Sequence, residues 1–186
     1  MKKISGFTLM ELLVVIAMIG ILMAFGLPAM GTYVKNDRLT TQINTLVSHL
    51  AYARSEAVLR RQLVVLCASS NMTSCSGTDW SAGWILFVDA DSDLKFTTGD
   101  EILRQNQPLS GNNTLSSTYV DIDEVIDPVT LVVTDVPYGT FVYDNRGFSA
   151  GGTGSFSLCD DRGVAHMKSI SISNTGRVRQ GGGAAC

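Results

Sequence analysis

One stretch of this sequence restricts its folding more than any other: an N-terminal apolar run that carries a single carboxylate. Residues 1–6 are short and polar, with Lys2 and Lys3. From Phe7 to Val34 the only charged side chain is Glu11, and Leu, Ile, Val, Met and Ala dominate the rest. As a helix, residues 12–34 would span about 34 Å at ~1.5 Å per residue, enough to cross a bilayer core. The two lysines predict that the N-terminal end stays cytoplasmic and that the rest of the chain is exported. The expectation is therefore a single pass through the inner membrane, followed by a periplasmic domain. A cleaved secretory signal fits poorly, because the run is too long and no A-x-A-like site follows it. A plain anchor leaves Glu11 unexplained, since an isolated carboxylate in such a segment is costly and usually has a functional partner.

Gly6-Phe7-Thr8-Leu9-Met10-Glu11, followed by Leu12-Leu13-Val14-Val15, resembles the class III signal of type IV pilins and type II secretion pseudopilins. The resemblance implies a leader at 1–6, cut after Gly6 by a prepilin peptidase, with methylation of the new N-terminal Phe7. It also implies an assembly role for Glu11 and a helix-kinking role for Pro28. The implied partners are other major and minor pilins, the peptidase and the inner membrane, and the implied destination is a pilus. Physical chemistry gives Glu11 a plausible task. A carboxylate buried among packed apolar helices seeks a cation, and the free amine of a neighbouring Phe7 would serve, setting register more than adding net stability. Gly20 and Gly26 loosen the helix and Pro28 removes a backbone donor, which predicts a kink or locally melted turn near 20–28. Simple tolerance of Gly and Pro in membrane helices is the plainer alternative.

Beyond Val34 the pattern becomes amphipathic. Leu39, Ile43, Leu46, Val47, Leu50, Ala53, Ala57 and Val58 recur at three- and four-residue steps, which predicts a helix with one buried stripe, continuing to about Arg61. His49 lies beside that stripe and has a structural role to play. Short apolar runs follow, bounded by turn residues, and they read as strands: 63–69, 83–88, 101–105, 118–122, 129–133, 140–143, 155–159 and 168–173. A long helix followed by consecutive strands argues for an α+β fold with an antiparallel sheet packed on the helix. The domain reading is a leader at 1–6, a transmembrane or filament-core helix at 7–34, and a globular domain at 35–186. That domain comprises helix 35–61 and β-domain 62–186. The resemblance implies the same architecture, the type IV pilin fold. Asp79-Trp80-Ser81-Ala82-Gly83-Trp84-Ile85-Leu86-Phe87-Val88-Asp89, Glu101-Ile102-Leu103-Arg104 and Asn174-Thr175-Gly176-Arg177-Val178-Arg179 are similar to the GspH/FimT/FimU family of minor pilins and minor pseudopilins.

At 186 residues the chain is one ordinary domain, and its 45% hydrophobic content excludes a disordered polyelectrolyte. Fourteen Lys and Arg against seventeen Asp and Glu exclude a general nucleic-acid coat, while leaving room for a local basic patch. The charge is segregated: 79–135 forms an acidic belt between two mildly basic ends. Export predicts paired cysteines. Four cysteines allow three pairings, of which Cys67–Cys75 with Cys159–Cys186 is the simplest. Asp89-x-Asp91-x-Asp93 with Asp100 and Glu101 resembles a calcium loop, but Leu94 stands where the turn wants Gly and Asp100 where it wants a bidentate Glu. A solvated hairpin is the better reading, and no metal is expected.

Gly176-Arg177-Val178-Arg179 is the remaining motif. In an extended segment the two arginines share a side, about 6.6 Å apart at ~3.3 Å per residue. They could grip successive phosphates, and the spacing resembles the G-R-x-R motif with which FimT-type minor pilins bind double-stranded DNA during uptake. Arg146, Arg162 and Lys168 could extend the patch. The alternative is pairing with the acidic belt or with a neighbouring subunit. No catalytic motif occurs: there is no G-x-S-x-G, H-E-x-x-H or Walker pattern, His166 reads as a surface-turn residue, and no cofactor is implied. The sequence thus predicts a non-enzymatic minor pilin of a type IV pilus, at or near its tip, with DNA capture as an added candidate activity. A minor pseudopilin of type II secretion, GspH-like, is the alternative.

Overall fold

The computed structural model describes residues 6–119, 139–150 and 152–182, with the side chains of 25–29 and Tyr119 excepted. One helix, α1 (Leu9–Arg60), leads the chain. It starts at Thr8, whose hydroxyl accepts the Glu11 N–H at 3.2 Å while its carbonyl accepts that of Leu12. Thr8-x-x-Glu11 is the spacing of a capping box, a start signal the apolar reading passed over. The helix stops where Arg61 turns left-handed at φ 58°, the conformation that commonly closes a helix. Between these points α1 runs through Gly20, Gly26 and Pro28 without the locally melted turn expected there.

The chain divides into two units, 1–37 and 38–186. In the first, the described apolar side chains are exposed around the whole helix: Met10, Leu12, Leu13, Val14, Val15 and Ile16 are all open. Among the described residues, no helix is long and apolar enough to cross a membrane. This corrects the expected membrane-spanning segment at 7–34, and with it the single-pass inner-membrane placement. Glu11 lies within the first turn of the apolar part of α1, and an isolated carboxylate is costly in a hydrocarbon core. Lys2 and Lys3 lie outside the described residues.

The second unit is α+β: the C-terminal part of the long helix packs on antiparallel strands. Leu39, Ile43, Leu46, Leu50, Ala53 and Ala57 are buried, as the stripe predicts, whereas Val58 is 48% exposed. The strands are β1 (Leu63–Ala68), β2 (Trp84–Asp89), β3 (Glu101–Asn106), β4 (Thr114–Tyr119), β5 (Thr140–Tyr143), β6 (Gly154–Cys159), β7 (Lys168–Ile172) and β8 (Val178–Gln180). They form two four-stranded sheets, ordered β3-β2-β1-β5 and β4-β6-β7-β8. The helix stripe meets Val64, Leu66, Trp84, Leu86, Phe141, Phe156, Ile170 and Ile172 in one core. The first sheet also buries its other face, where Val65, Cys67, Ile85, Phe87 and Val142 form a second cluster. That double burial explains why β1 and β2 read as unbroken apolar runs. The strand expected at 118–122 instead occupies Thr114–Tyr119, and the one expected at 129–133 lies outside the described residues.

Two polar devices tie helix to sheet and loop to strand. Trp84 Nε1–H donates to His49 Nδ1 at 3.0 Å, so His49 must stay neutral at that nitrogen to accept. Burial, and then the charge of Arg104, hold its pKa below the usual value. The unfolded chain therefore takes up a proton at higher pH than the folded one, and this contribution to stability is lost as pH falls below about 6.5. The wild-type melting temperature should consequently drop more between pH 7 and pH 5 than that of His49→Gln. His49→Ala, which strands the Trp84 donor, should cost about 1–3 kcal/mol at pH 7 by denaturant unfolding. Cys67 and Cys75 form a disulfide. Cys159 is also disulfide-bonded, and its expected partner Cys186 lies outside the described residues.

Candidate functional site

The hairpin β7–β8 carries the basic motif. Ser171 faces Arg179 and Ile172 faces Val178 across the ladder. Strand alternation sends Ile170 and Ile172 into the core and puts Ser171, Ser173 and the arginines on the opposite face. There Arg177 and Arg179 line an open groove of about 790 Å³ with Ser155, Ser171, Ser173 and Thr175. Both arginines are exposed. Neither guanidinium makes an ion pair or hydrogen bond among the described residues, so the expected alternative of pairing with the acidic belt does not occur there.

The turn before β8 is built tightly. Gly176 N–H donates to the Ser173 carbonyl at 2.8 Å, and Ser173 N–H to that of Arg177 at 3.1 Å. Gly176 sits at φ 72°, and a Cβ added there would lie 2.2 Å from the Gly147 carbonyl oxygen and 2.8 Å from Tyr143 Cε1. The glycine of the motif is therefore a packing requirement. Tyr143 Oη–H donates to the Gly176 carbonyl at 3.2 Å. Arg54, reaching over from α1, donates from Nε to the Gly147 carbonyl and from Nη2 to that of Thr175, both at 2.9 Å.

The basic residues proposed to extend the patch are otherwise engaged. Asp144 Oδ1 accepts the Arg146 and Phe148 N–H groups, and its Oδ2 accepts Arg146 Nε and Nη2 at 3.0 and 2.8 Å. Asp160 holds Arg162 the same way, with Nε at 2.8 Å and Nη2 at 2.6 Å. Two turns with one plan thus close β5 and β6. The signal was in the sequence as a repeated D-x-R-G, at Asp144–Gly147 and Asp160–Gly163. Lys168 shares the alternation of Ile170 and Ile172, away from the groove face.

In the acidic loop, carboxylate oxygens of Asp89, Asp91 and Asp93 lie within 4.8 Å of one another. The buried Asp89 spends its oxygens on the N–H groups of Ser92 at 2.7 Å and Leu94 at 3.0 Å, and Asp100 accepts from Ala90 and Thr97. Burial pushes Asp89 up to about 6. Leu94 takes the left-handed conformation at φ 60° that favours Gly, and is held there by burial in the second cluster. The arrangement is a hydrogen-bonded turn between β2 and β3. At the N-terminus, Gly6 and Phe7 are exposed, and Glu11 is exposed in the first turn of α1.

Residues 42–176 match the family model described as type II transport protein GspH. The chain belongs to this family. Residues 1–27 match the prokaryotic N-terminal methylation motif. Prepilin peptidase-dependent protein D of Escherichia coli is 29% identical over 120 residues, covering 64% of this chain and 72% of that protein. Pilin-like protein PilA1 of Thermus thermophilus is 29% identical over 96 residues, covering 52% of this chain and 55% of that protein. The fold is shared with the crystal structure of the type IV minor pilin FimU of Pseudomonas aeruginosa, at a TM-score of 0.56 and 19% identity over 81% of this chain and 92% of that one. As a GspH-family member the protein is a structural pilin or pseudopilin and not a catalyst. The strand and turn that carry Arg177 and Arg179 extend past the end of the family match.

Proposed function

We propose that this GspH-family protein is a minor pilin of a type IV pilus, cut between Gly6 and Phe7 by a prepilin peptidase, methylated at Phe7, and assembled at or near the filament tip. One observation carries the reading: the described apolar side chains at the start of α1 are exposed on every side. A helix that is apolar all round needs cover all round, and the matching helices of sibling subunits supply it. Mass spectrometry of a sheared filament fraction tests this. The expected species starts at methylated Phe7 and co-purifies with a major pilin. A chain still carrying residues 1–6, or one found only with secretion-system pseudopilins, counts against it, the latter in favour of a type II secretion minor pseudopilin.

A second activity is favoured by a separate observation, the two guanidiniums in the groove beside β8 that have no partner among the described residues. We infer that they bind the phosphates of double-stranded DNA. Two arginines neutralise few phosphates, so the binding is modest and sensitive to salt, with a slope of roughly two on a log–log plot. Arg177→Gln/Arg179→Gln should weaken duplex binding at least about 10-fold at low salt without moving the melting temperature. Fluorescence anisotropy with labelled duplex is the measurement, and unchanged affinity in the double variant removes the inference.

A further inference from the structure

The groove's two arginines sit on a turn whose position is set from outside the hairpin, and one residue reaches further than the others. Ser149 N–H fastens the Asn174 carbonyl at 2.9 Å, and Tyr143 fastens that of Gly176. Arg54, from α1, holds both loops at once, 144–149 at the Gly147 carbonyl and 173–177 at the Thr175 carbonyl, through the two arms of its guanidinium. The planar fork makes this possible, since a lysine ammonium on a flexible stem is a point donor without the same paired geometry.

We propose that Arg54 is the positioning residue of the DNA groove. It belongs to α1, it holds the Thr175 carbonyl two residues before Arg177, and so it fixes where Arg177 and Arg179 stand relative to the hydroxyls of Ser155 and Ser171. This rests on the reading that Arg177 and Arg179 bind phosphates. Arg54 acts through the turn and not as a third phosphate contact: it lines a different cleft, with Ala51, Ser55, Val58, Leu59 and Arg146, and its Nε and Nη2 donate to the two loop carbonyls. The same contacts explain why the motif's glycine lies against the Gly147 carbonyl. Arg54 donates to that same oxygen, tying the two loops to each other.

The test is a double-mutant cycle on the full chain in detergent, with labelled duplex DNA as the probe, together with amide hydrogen exchange. Arg54→Gln should weaken duplex binding about 10-fold in the wild-type background and under about 2-fold on an Arg177→Gln background, because the two residues act as one unit. Arg54→Lys, which keeps the charge and loses the fork, should recover only part of the affinity. Exchange at the Gly176 amide should quicken at least about 10-fold in Arg54→Gln, with the Leu66 amide of β1 unchanged, as for a local opening. Equal losses in both backgrounds, or full rescue by Arg54→Lys, would mean that Arg54 is only one more cation and would overturn the proposal. Unchanged Gly176 exchange would overturn it as well. If the wild-type chain binds no duplex at all, the DNA reading itself fails, and the exchange experiment then decides separately whether Arg54 holds the turn.

Discussion

Glu11→Ala should remove the protein from filaments, cutting its recovery in the sheared fraction at least about 10-fold while leaving cleavage after Gly6 intact. Among the described residues the Glu11 carboxylate has no partner: the side chain is exposed and only its N–H is engaged, by the Thr8 hydroxyl. Its importance arises when surrounding helices strip water from the apolar surface. A carboxylate left unpaired in such surroundings costs several kcal/mol, and it tolerates burial only beside a cation. On the processing proposed above, the cation would be the amine that cleavage exposes on another subunit's Phe7. Wrong registers leave the charge orphaned, and removing it removes the penalty against them. Glu11→Gln, with the shape kept and the charge gone, should fail as Glu11→Ala does. Thr8→Ala should cost helix stability on the order of 1 kcal/mol without abolishing incorporation. Normal recovery of Glu11→Ala from sheared filaments would sink this account.

Gly176→Ala should lower the stability of the β-domain by about 3 kcal/mol or more. A residue with a Cβ at φ 72° carries roughly 1–2 kcal/mol of conformational cost. The added carbon would lie 2.2 Å from a backbone oxygen, and overpacking of that kind costs a further ~1–3 kcal/mol. Gly77 supplies the control. It has φ 71° but open space where the Cβ would go, so Gly77→Ala should show the conformational part alone, about 1–2 kcal/mol. Denaturant unfolding of both variants separates the two terms. A Gly176→Ala variant as stable as Gly77→Ala would show that the turn yields easily, and would weaken the link between the glycine and the arginines that follow it.

Much of this molecule could be read from residue order, for physical reasons that differ by element. The stripe from Leu39 to Ala57 was legible because a helix with one buried face leaves a 3.6-residue rhythm. Strands β1 and β2 were legible as apolar runs, since a strand buried on both faces carries no alternation to confuse with a turn. Strand β4 was displaced in the reading because Thr114-Leu-Ser-Ser-Thr-Tyr119 offers few apolar side chains, and β8 was missed because three residues cannot show a period. Val58 fits the rhythm of the stripe yet is half exposed, which only the ending of the helix two residues later accounts for. The membrane span was read from apolar length, and the described helix does not support it. The arginines show the limit most clearly. Charge counting put Arg146 and Arg162 in the same patch as Arg177 and Arg179, whereas their neighbours Asp144 and Asp160, two residues upstream, already hold them. Nearness in sequence to a carboxylate decided which cations are spent and which remain.

The brevity and charge of β8 bear on how copies of this protein meet. An open sheet margin invites another chain to add a strand, and such margins are a common origin of fibrous misassembly. Here that margin is three residues long and carries a cation at its centre, with another just before it. Two copies brought margin to margin would set like charges against each other. This margin of the second sheet is thereby discouraged from adding a strand of another copy.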